Sequence, residues 1–415
     1  MKVVRGYRTE LDLNDEQRTA CMKHAGCARF AYNWGLARSK ETYRATSKRP
    51  TAIDLHRELN ALKQTDYPWM YEVSKCAMQE ALRDLEQAYK NFFRRVELKK
   101  QGKWKGKVGF PNPKKKSKAI GSFRLTGSIK VFADAVQLPR LGHLRLHEHN
   151  FIPTDAKILS ATVSEEAGRW FVSIQVKEEK DAPTPPTTSA IGVDLGIKTL
   201  ATLSDGKTFA NPRALKHAQK RLRRLERQRS RRKLGCKNRK KTCKKLAKQH
   251  ARVANIRYDG AHKLTSYLSK NHALIAIEDL HVAGMLKNHK LAQAVADSNF
   301  GEIRRQIEYK SNLYGAHVVV IDQWYPSSRL CSTCGWRNTE QTLADRTFVC
   351  EECGLVLDRD ENAARNILAE ALRSTESSSE TYACGQSSAG TVNGQCETAL
   401  DEAGTTHQYG VSIPV

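Results

Sequence analysis

The sequence contains no long apolar run, and this absence argues against a protein with membrane-spanning helices. No segment approaches the roughly 18 consecutive apolar residues that a membrane-spanning helix needs. The N-terminal segment MKVVRGYRTELD turns polar after Val4, so it lacks the apolar core of a secretory signal peptide. We therefore expect neither membrane insertion nor secretion. Since disulfide frameworks belong mainly to secreted proteins, we expect the 11 cysteines to be thiols or metal ligands.

Acidic residues are scarce relative to basic ones. The 415 residues include 70 Lys and Arg but 44 Asp and Glu, which gives a formal net charge of +26. Such a chain attracts polyanions, and nucleic acid is the leading partner because many phosphate contacts supply most of the affinity in such complexes. Acidic membranes and polyphosphates are the alternatives. The shortage is sharpest at 99–118, with nine Lys and no acid, and at 213–252, with 19 Lys and Arg and one acid.

The length predicts two or three domains, and the best boundary is a Pro- and Thr-rich linker at 181–189. Before it, the pattern predicts a strand, two long helices and a β-rich region with a hairpin turn near Glu166–Gly168. After it, we expect two strands, a basic helical hairpin broken at Gly235, two buried strands and a final helix at 362–373. Residues 374–415 contain no Lys or Arg and are rich in Ser, Gly and Thr, so we expect disorder there.

Four cysteines have the spacing of a metal site. Cys331, Cys334, Cys350 and Cys353 form C-x2-C-x15-C-x2-C, which is typical of a zinc ribbon. Four thiolates leave no open coordination position, so one zinc ion here would be structural. We interpret the other seven as ordinary thiols: Cys21, Cys27, Cys76, Cys236, Cys243, Cys384 and Cys396.

Three carboxylates stand at the ends of predicted buried elements. Asp194 lies within IGVDLG, Glu278 ends the run ALIAIE, and Asp360 precedes the final helix. Each alone has an ordinary role, as a turn residue, a solvent-facing strand end or a helix cap. Together they can converge at one edge of a sheet, where carboxylate oxygens bind Mg²⁺ or Mn²⁺. Two such ions stabilise the attacking and leaving oxygens of a phosphodiester, so an acidic site in a basic protein indicates a nuclease or phosphoryl-transfer enzyme.

Two neighbouring acids compete for these roles. Asp279 adjoins Glu278 but should point to the opposite side of the strand. Asp358 is two residues from Asp360 and would share its face. Spacing alone therefore does not choose between Asp358 and Asp360.

Several motifs, in order along about 370 residues, resemble the TnpB family, the insertion-sequence proteins related to type V CRISPR effectors. The last two motifs are the most specific. The matching segments are QEALRDLEQAYKNFFRR (79–95), KVGFPNPKKK (107–116), IGVDLGIKTLATLSDG (191–206), IEDL (277–280), YPSSRLCSTCG (325–335) and FVCEECGLVLDRDENAARNI (348–367).

The resemblance implies an α/β and α+β multidomain protein. It implies an RNase H-like RuvC nuclease domain with an inserted zinc ribbon, and an N-terminal β-barrel wedge domain interrupted by a helical recognition lobe. On this sequence the expected domains are the wedge (1–12 and 105–180), the recognition lobe (13–104), the linker (181–189), the RuvC-like nuclease (190–326 and 355–373), the zinc ribbon (327–354) and a disordered tail (374–415).

The resemblance also implies a function. Family members are RNA-guided DNA endonucleases of transposable elements that hydrolyse guide-matched DNA next to a short flanking motif. Their metal-binding acids match Asp194, Glu278 and Asp360, which would hold two Mg²⁺ or Mn²⁺ ions. The implied partners are a guide RNA from the element's 3′ end and double-stranded target DNA, with no membrane and no small-molecule substrate. The implied location is the prokaryotic cytosol, with the nucleoid.

Candidate nucleic-acid contacts fall in three regions. Lys75 and Gln79, at i and i+4 on one helix face, resemble positions that read the flanking motif; a solvated helix face is the alternative. In the basic loop, Trp104 and Phe110 suit base stacking, or else dock on a core. The remaining candidates are basic: Lys103, Lys105, Lys107, Arg221, Arg224, Arg231 and Arg232.

Two other functions stay open at this point. One is a nucleic-acid-binding regulator or transposition accessory protein that binds without cutting. The other is a transposase that joins strands itself through a tyrosine nucleophile and a paired His motif. HEH at 147–149 is the one H-x-H arrangement in the chain, and its β or loop context does not suit that chemistry.

Overall fold

The N-terminal part of the chain is built on a seven-stranded antiparallel sheet. The computed structural model describes residues 2–116, 121–179, 183–185, 189–342 and 345–383. The strands are β1 (Lys2–Asp12), β2 (Ser122–Leu125), β3 (Lys130–Val131), β4 (Ala135–Leu138), β5 (Gly142–Leu146), β6 (Lys157–Glu166) and β7 (Arg169–Glu179). Their order is β2-β6-β7-β1-β5-β4-β3, with β2 and β3 at the two edges. Closure of this sheet into a barrel therefore remains a prediction.

Three helices are inserted between β1 and β2. They are α1 (Asp15–Thr46), α2 (Ala52–Thr65) and α3 (Lys75–Lys100), with a short 3₁₀ helix at Pro68–Glu72. The side chain of Asn14 accepts the N–H of Gln17 at 2.8 Å and so caps α1. Helix α2 was not predicted from the sequence, although Thr51 and Asp54 form a capping box at its start. No helix within the described ranges is long and apolar enough to cross a membrane.

The sheet and the three helices share one apolar core. Along β7, alternate residues face this core, because successive side chains of a strand point to opposite faces. The buried residues of β7 and of α1, α2 and α3 belong to one continuous cluster. The buried side chains on β7 are Trp170, Val172, Ile174 and Val176. The helical insertion and the sheet therefore stabilise each other.

A second sheet of five strands follows the linker region. Its strands are β8 (Ala190–Leu195), β9 (Thr199–Leu203), β10 (Thr208–Ala210), β11 (Leu274–Glu278) and β12 (His317–Ile321). The order is β10-β9-β8-β11-β12. Strands β8, β11 and β12 are parallel, whereas β9 and β10 are antiparallel to their neighbours. The parallel strands read as apolar runs because both of their faces are covered.

The helices that the structure describes in this domain are α4 (Ala214–Ser230), α5 (Lys237–Asn271), α6 (Val282–Met285), α7 (Ala292–Ser298), α8 (Phe300–Tyr314) and α9 (Arg359–Ala383). Of these, α5, α8 and α9 cover the two faces of the sheet. On one face, Leu264 of α5 and Ile303 of α8 join the core of the sheet. On the other, Ile367 of α9 packs with Ala276 and Ile321. A two-stranded hairpin, β13 (Thr347–Val349) and β14 (Val356–Asp358), precedes α9.

The basic hairpin of α4 and α5 is anchored to the rest of this domain by Asp297. The chain reverses between α4 and α5 near Gly235, which has a φ of +85°. The predicted break of the helical hairpin at Gly235 is therefore confirmed. The buried carboxylate of Asp297 accepts the N–H groups of Leu215 and Lys216 at the start of α4. It also pairs with Arg257 of α5 at 2.9 Å. One buried acid therefore holds two basic helices in place.

Helix α9 is longer than expected. The sequence predicted a helix ending at Arg373 and disorder from 374 onward, but α9 continues to Ala383. Residues 374–383 contain no Gly or Pro, and a helix that is already packed extends with one backbone hydrogen bond per added residue. The predicted disorder is therefore wrong for 374–383, while residues 384–415 lie outside the described residues.

Gly192 lets α9 lie directly on β8. A Cβ atom at Gly192 would overlap the carbonyl oxygen of Ala364 and would lie 2.9 Å from the Cβ of Leu368. Helix and strand therefore approach each other as closely as their backbones allow. This contact sets the position of the first turn of α9 relative to the end of β8.

We predict that Gly192→Ala destabilises the second domain. The added methyl group must push α9 away from β8, and overpacking of this kind costs about 1–3 kcal/mol of unfolding free energy. Gly6→Ala is the matched control, since a Cβ atom there meets nothing within 4 Å. Denaturant unfolding of both variants measures the difference. Equal stability of the two variants would contradict the close packing of α9 on β8.

Candidate functional site

Asp194 and Glu278 lie side by side because two parallel strands end together. Strands β8 and β11 pair in parallel with Val193 opposite Ile277, so the next residue on each strand is an acid. Both side chains are partly exposed at the edge of the sheet, while the residues that precede them are buried. The apolar runs that form the strands thus carry two carboxylates to one edge.

Asp360 reaches the same edge from helix α9. It is the second residue of α9, and the contact at Gly192 holds this helix against β8. The pKa of Asp194 is raised to about 8, first by burial and then by the nearby negative charges of Glu278 and Asp360, while Arg359 opposes the shift and Asp358 adds a smaller rise. The structure therefore brings the three sequence-predicted carboxylates into one electrostatic site.

Glu278 has a specific hydrogen-bond partner. The hydroxyl of Ser327 donates to Oε1 of Glu278 at 2.5 Å. Burial raises the pKa of Glu278, and the hydrogen bond from Ser327 works in the opposite direction. The backbone carbonyl of Ser327 in turn accepts the side-chain N–H of Asn366 on α9 at 2.7 Å. Ser327 therefore orients a carboxylate from a loop that α9 holds.

The two competing acids have other roles in the structure. Asp279 is exposed and pairs with Arg304 of α8. The carboxylate of Asp358 accepts the N–H of Asp360 at 2.9 Å and of Glu361 at 3.3 Å, so it caps the first turn of α9. The geometry thus gives Asp279 and Asp358 structural partners that differ from those of Glu278 and Asp360.

Two arginines hold Asp360. Nη2 of Arg359 lies 3.2 Å from Oδ1, and Nη1 of Arg346 lies 3.9 Å from Oδ2. Arg346 belongs to the segment between the two cysteine pairs, so it connects that segment to the carboxylate site. The sequence alone does not indicate either pair: Arg346 is remote from Asp360 in the sequence, and the adjacency of Arg359 to Asp360 does not by itself show that their side chains pair.

The three carboxylates suit divalent metal ions, such as Mg²⁺, that take some of their ligands from a phosphate of the substrate. Among the described residues, the four cysteines are the one group of three or more potential ligands whose donor atoms all lie within 4.8 Å of one another. The carboxylate oxygens of Asp194, Glu278 and Asp360 are therefore spread more widely than a closed cage. Mg²⁺ commonly takes one or two carboxylates together with phosphate oxygens and water, and this donor set fits that preference.

The four cysteines form a compact group, with their Sγ atoms all within 4.8 Å of one another. Sγ of Cys331 lies 3.6 Å from Sγ of Cys353, and Sγ of Cys334 lies 3.5 Å from Sγ of Cys350. A zinc ion with Zn–S bonds of about 2.3 Å requires sulfur–sulfur edges of about 3.8 Å, so the four sulfurs fit zinc. A glycine with a positive φ directly follows each cysteine pair. These are Gly335, at +78°, and Gly354, at +72°.

Two asparagines of α9 connect the cysteine group to the carboxylate site. Asn362 donates to the carbonyl of Leu330 at 2.6 Å and accepts the N–H of Ser332 at 3.0 Å. Asn366 donates to Leu330 as well, at 2.7 Å. Both asparagines are buried, and their i and i+4 spacing puts them on one face of the helix. That spacing of two amides in NAARN was the sequence signal that could have identified them.

The candidate nucleic-acid contacts on α3 and in the basic loop differ in how far they are exposed to solvent. Lys75 is exposed and Gln79 is half-buried on α3. Trp104 packs against Arg95, and Phe110 packs edge-on against Tyr89 and Phe92 of α3. Phe110 therefore contacts α3 while 41% of its surface stays exposed, and both interpretations of these aromatics stay open. The basic candidates of this loop are exposed: Lys103, Lys105 and Lys107.

On the basic hairpin, one of the four candidates turns inward. Arg232 is half-buried and donates to the carbonyl of Asn238 at 2.7 Å and to the hydroxyl of Thr242. It therefore closes the hairpin instead of presenting its charge to a ligand. The other three candidates are exposed: Arg221, Arg224 and Arg231.

Three family profiles match this chain. OrfB_IS605, described as "Probable transposase", matches residues 173–289. A profile described as "Cas12f1-like, TNB domain" matches 300–367. A profile described as a helix-turn-helix domain matches 1–48, which in this structure form strand β1, helix α1 and the residues directly after it.

Curated relatives align along most of the chain. A protein of Streptomyces pristinaespiralis named "Putative RNA-guided DNA endonuclease" is 36% identical over 375 residues, covering 89% of this chain and 90% of the relative. InsQ of Escherichia coli K12 carries the same description and is 33% identical, covering 89% and 92%. Among solved structures, the mini-RNA-guided endonuclease CRISPR-Cas_phi3 aligns with a TM-score of 0.45 and 9% identity, covering 89% of this chain and 92% of that chain.

We predict that the purified protein contains one zinc ion per chain and that Cys350→Ser removes it, because a tetrahedral site that loses a thiolate binds zinc far more weakly. Cys243→Ser is the control, since this cysteine is exposed and lies outside the group. Metal analysis by atomic emission measures both variants. A wild-type protein without zinc, whose four cysteines titrate as free thiols, would contradict the assignment.

Proposed function

This chain belongs to the TnpB family of insertion-sequence proteins, and we propose that it is an RNA-guided DNA endonuclease of a transposable element. In this proposal the protein supplies the carboxylate site that cuts DNA. A bound guide RNA selects, by base pairing, the DNA sequence that is cut. The observation that carries the proposal is the convergence of Asp194, Glu278 and Asp360, whose mutual repulsion helps to raise the pKa of Asp194 to about 8. A protein whose formal net charge is +26 keeps its like-charged acids together here.

The three carboxylates would hold two Mg²⁺ or Mn²⁺ ions. When bound, these ions supply an activated water and stabilise the charge that develops on the scissile phosphate. Carboxylates that repel one another gain most from a nearby cation, because the cation removes the repulsion that raises the pKa of Asp194. The donor set therefore fits divalent ions, and zinc is the ion that fits the cysteine group.

The surrounding residues would orient the carboxylates and the substrate. Ser327 fixes the position of Glu278 through a hydrogen bond of 2.5 Å. Arg346 and Arg359 hold Asp360 and place positive charge next to the position of the phosphate. The exposed cations of α4 and α5 suit the backbone of an RNA or of an RNA–DNA heteroduplex, which proteins of this kind bind by shape and charge.

We assign a separate role to each of the two sheets and to the helices that pack on them. We assign the five-stranded sheet and its helices, residues 190–326 and 355–373, to an RNase H-like RuvC nuclease domain, with the zinc ribbon at 327–354. We assign the seven-stranded sheet to a wedge domain and α1–α3 to a recognition lobe. Lys75 and Gln79 would read the flanking motif from the start of α3. The partners are a guide RNA from the element's 3′ end and double-stranded DNA, which places the activity at the nucleoid of a prokaryotic cell.

We predict that Asp194→Ala and Glu278→Gln each lower the rate of DNA cleavage by about 10²–10³-fold or more, because each removes a carboxylate that stabilises the transition state. Binding of the guide RNA should be unchanged, since neither side chain lies on the basic surfaces. The measurement is cleavage of a labelled target duplex by the protein–RNA complex, with RNA affinity measured in parallel.

Asp279→Asn is the matched control for Glu278→Gln. It removes one negative charge from the adjacent residue, which pairs with Arg304 and does not face the site. Its cleavage rate should stay within a few-fold of wild type. Equal losses for the two variants, or full activity of Asp194→Ala, would contradict the assignment of the site. A complex that binds matched DNA without cutting it would support a binding regulator.

A further inference from the structure

Trp324 is the most exposed aromatic side chain in the described part of the chain. It exposes 81% of its surface, although tryptophan normally buries most of its area. It lies in the loop that follows β12, the strand parallel to β11. No ring or cation contact within the described residues accounts for its position. Folding of the chain therefore does not require an indole at this place.

The loop that carries Trp324 is held on both sides. The backbone N–H of Trp324 donates to Oδ1 of Asp322 at 2.7 Å. The next residue, Tyr325, is half-buried and packs against the core of α9 and the sheet. Ser327 then donates to Glu278. An ordered segment thus presents an exposed indole to solvent.

This segment keeps Trp324 close along the chain to the residue that contacts the carboxylate site. Ser327 is three positions after Trp324, and three extended residues span at most about 11 Å. The Cα of Trp324 therefore lies within that distance of the residue that contacts Glu278. Arg329, which is exposed, follows on the same segment and adds a positive charge. Exposed aromatic faces and cations on one surface segment are the groups that bind single-stranded nucleic acid.

We propose that Trp324 is a substrate-binding residue on which a nucleobase of the single-stranded DNA being cut stacks next to the carboxylate site. This inference rests on the proposed function. We expect a strand of a duplex to separate from its partner before one of its phosphates reaches the three carboxylates at the edge of the sheet. Stacking of an unpaired base on a fixed indole would hold that strand, and it would do so for every sequence because each base has a π face.

The effect of removing the indole follows from the energy of base stacking. Stacking on an aromatic side chain is worth about 1–3 kcal/mol per base, which corresponds to about 5- to 150-fold in affinity. A contact made equally in the bound substrate and in the transition state changes KM and leaves kcat unaltered. Trp324→Ala should therefore raise KM for single-stranded DNA by about 5- to 150-fold. Trp324→Phe, which keeps a ring, should restore most of the affinity.

The experiment uses the full-length protein–RNA complex and two readouts. The first is steady-state cleavage of a labelled single-stranded DNA by wild type, Trp324→Ala and Trp324→Phe. The second is binding without turnover: a short single-stranded DNA that contains a fluorescent adenine analogue is titrated in Ca²⁺, and stacking on tryptophan quenches the fluorophore. The control variant is Tyr43→Ala, which truncates another exposed aromatic side chain, on α1.

Loss of quenching and a raised KM in Trp324→Ala, with rescue by Trp324→Phe and no change in Tyr43→Ala, would support the inference. Unchanged KM and quenching in Trp324→Ala would overturn it, and the indole would then be free to bind a protein partner. Quenching by an RNA of the same sequence but not by DNA would also overturn it. A further outcome is that the wild-type complex cuts no DNA, while quenching is seen with wild type and is lost in Trp324→Ala. The stacking site would then be supported and the proposed function would be contradicted.

Discussion

The parallel pairing of β8 with β11 is the constraint on which the site depends. The register puts Val193 opposite Ile277, so Asp194 and Glu278 must leave the sheet together. The packing of α9 at Gly192 then brings Asp360 to the same edge. Three acids at one edge repel each other, and the pKa of Asp194 rises to about 8 as a result of burial and of this repulsion. The apolar cores on both faces of the sheet supply the stability that keeps these acids together.

Hydrogen bonds from α9 and one arginine connect the cysteine group to the same site. The cysteine group follows the loop that carries Ser327, and Asn362 and Asn366 of α9 bind the backbone of that loop. Arg346, from between the two cysteine pairs, reaches Asp360. A zinc ion that fixes the four thiolates would therefore also fix the partners of two carboxylates. The two metal sites would differ in kind, since one is closed and structural and the other is open toward substrate.

Local patterns in the sequence predicted the parts of the fold that depend on local interactions. The hairpin of β6 and β7, the break at Gly235 and the cysteine spacing each follow from a few adjacent residues. The capping box of α2, formed by Thr51 and Asp54, is local as well, and it is the signal in the sequence that indicates this helix. The pairing of strands far apart in sequence was not predictable in this way. The positions of the three acids at the ends of predicted buried elements indicated that they could converge, and the family resemblance favoured Asp360 over Asp358. The register of β8 and β11 supplies the physical reason for the pairing of Asp194 with Glu278.

Side-chain partners were the least predictable part. Arg232 looked like its exposed neighbours in sequence, yet it closes the helical hairpin, because the direction of a long side chain depends on the tertiary contacts around it. Ser327 and Arg346 contact acids that are remote in sequence, so no spacing pattern indicates them. The docking of Phe110 on α3 was one of two equal alternatives for the same reason.

The most direct test of the account is to exchange the guide. The protein would be expressed with the DNA that follows its gene, and the RNA that copurifies would be sequenced. Two versions of that RNA, differing in the guide segment alone, would then be offered a mixture of two plasmids, each matching one guide beside a randomised flank. The account predicts that the cut moves to the matching plasmid when the guide is exchanged. Cleavage of the same plasmid with both guides, or copurification of no discrete RNA, would contradict it.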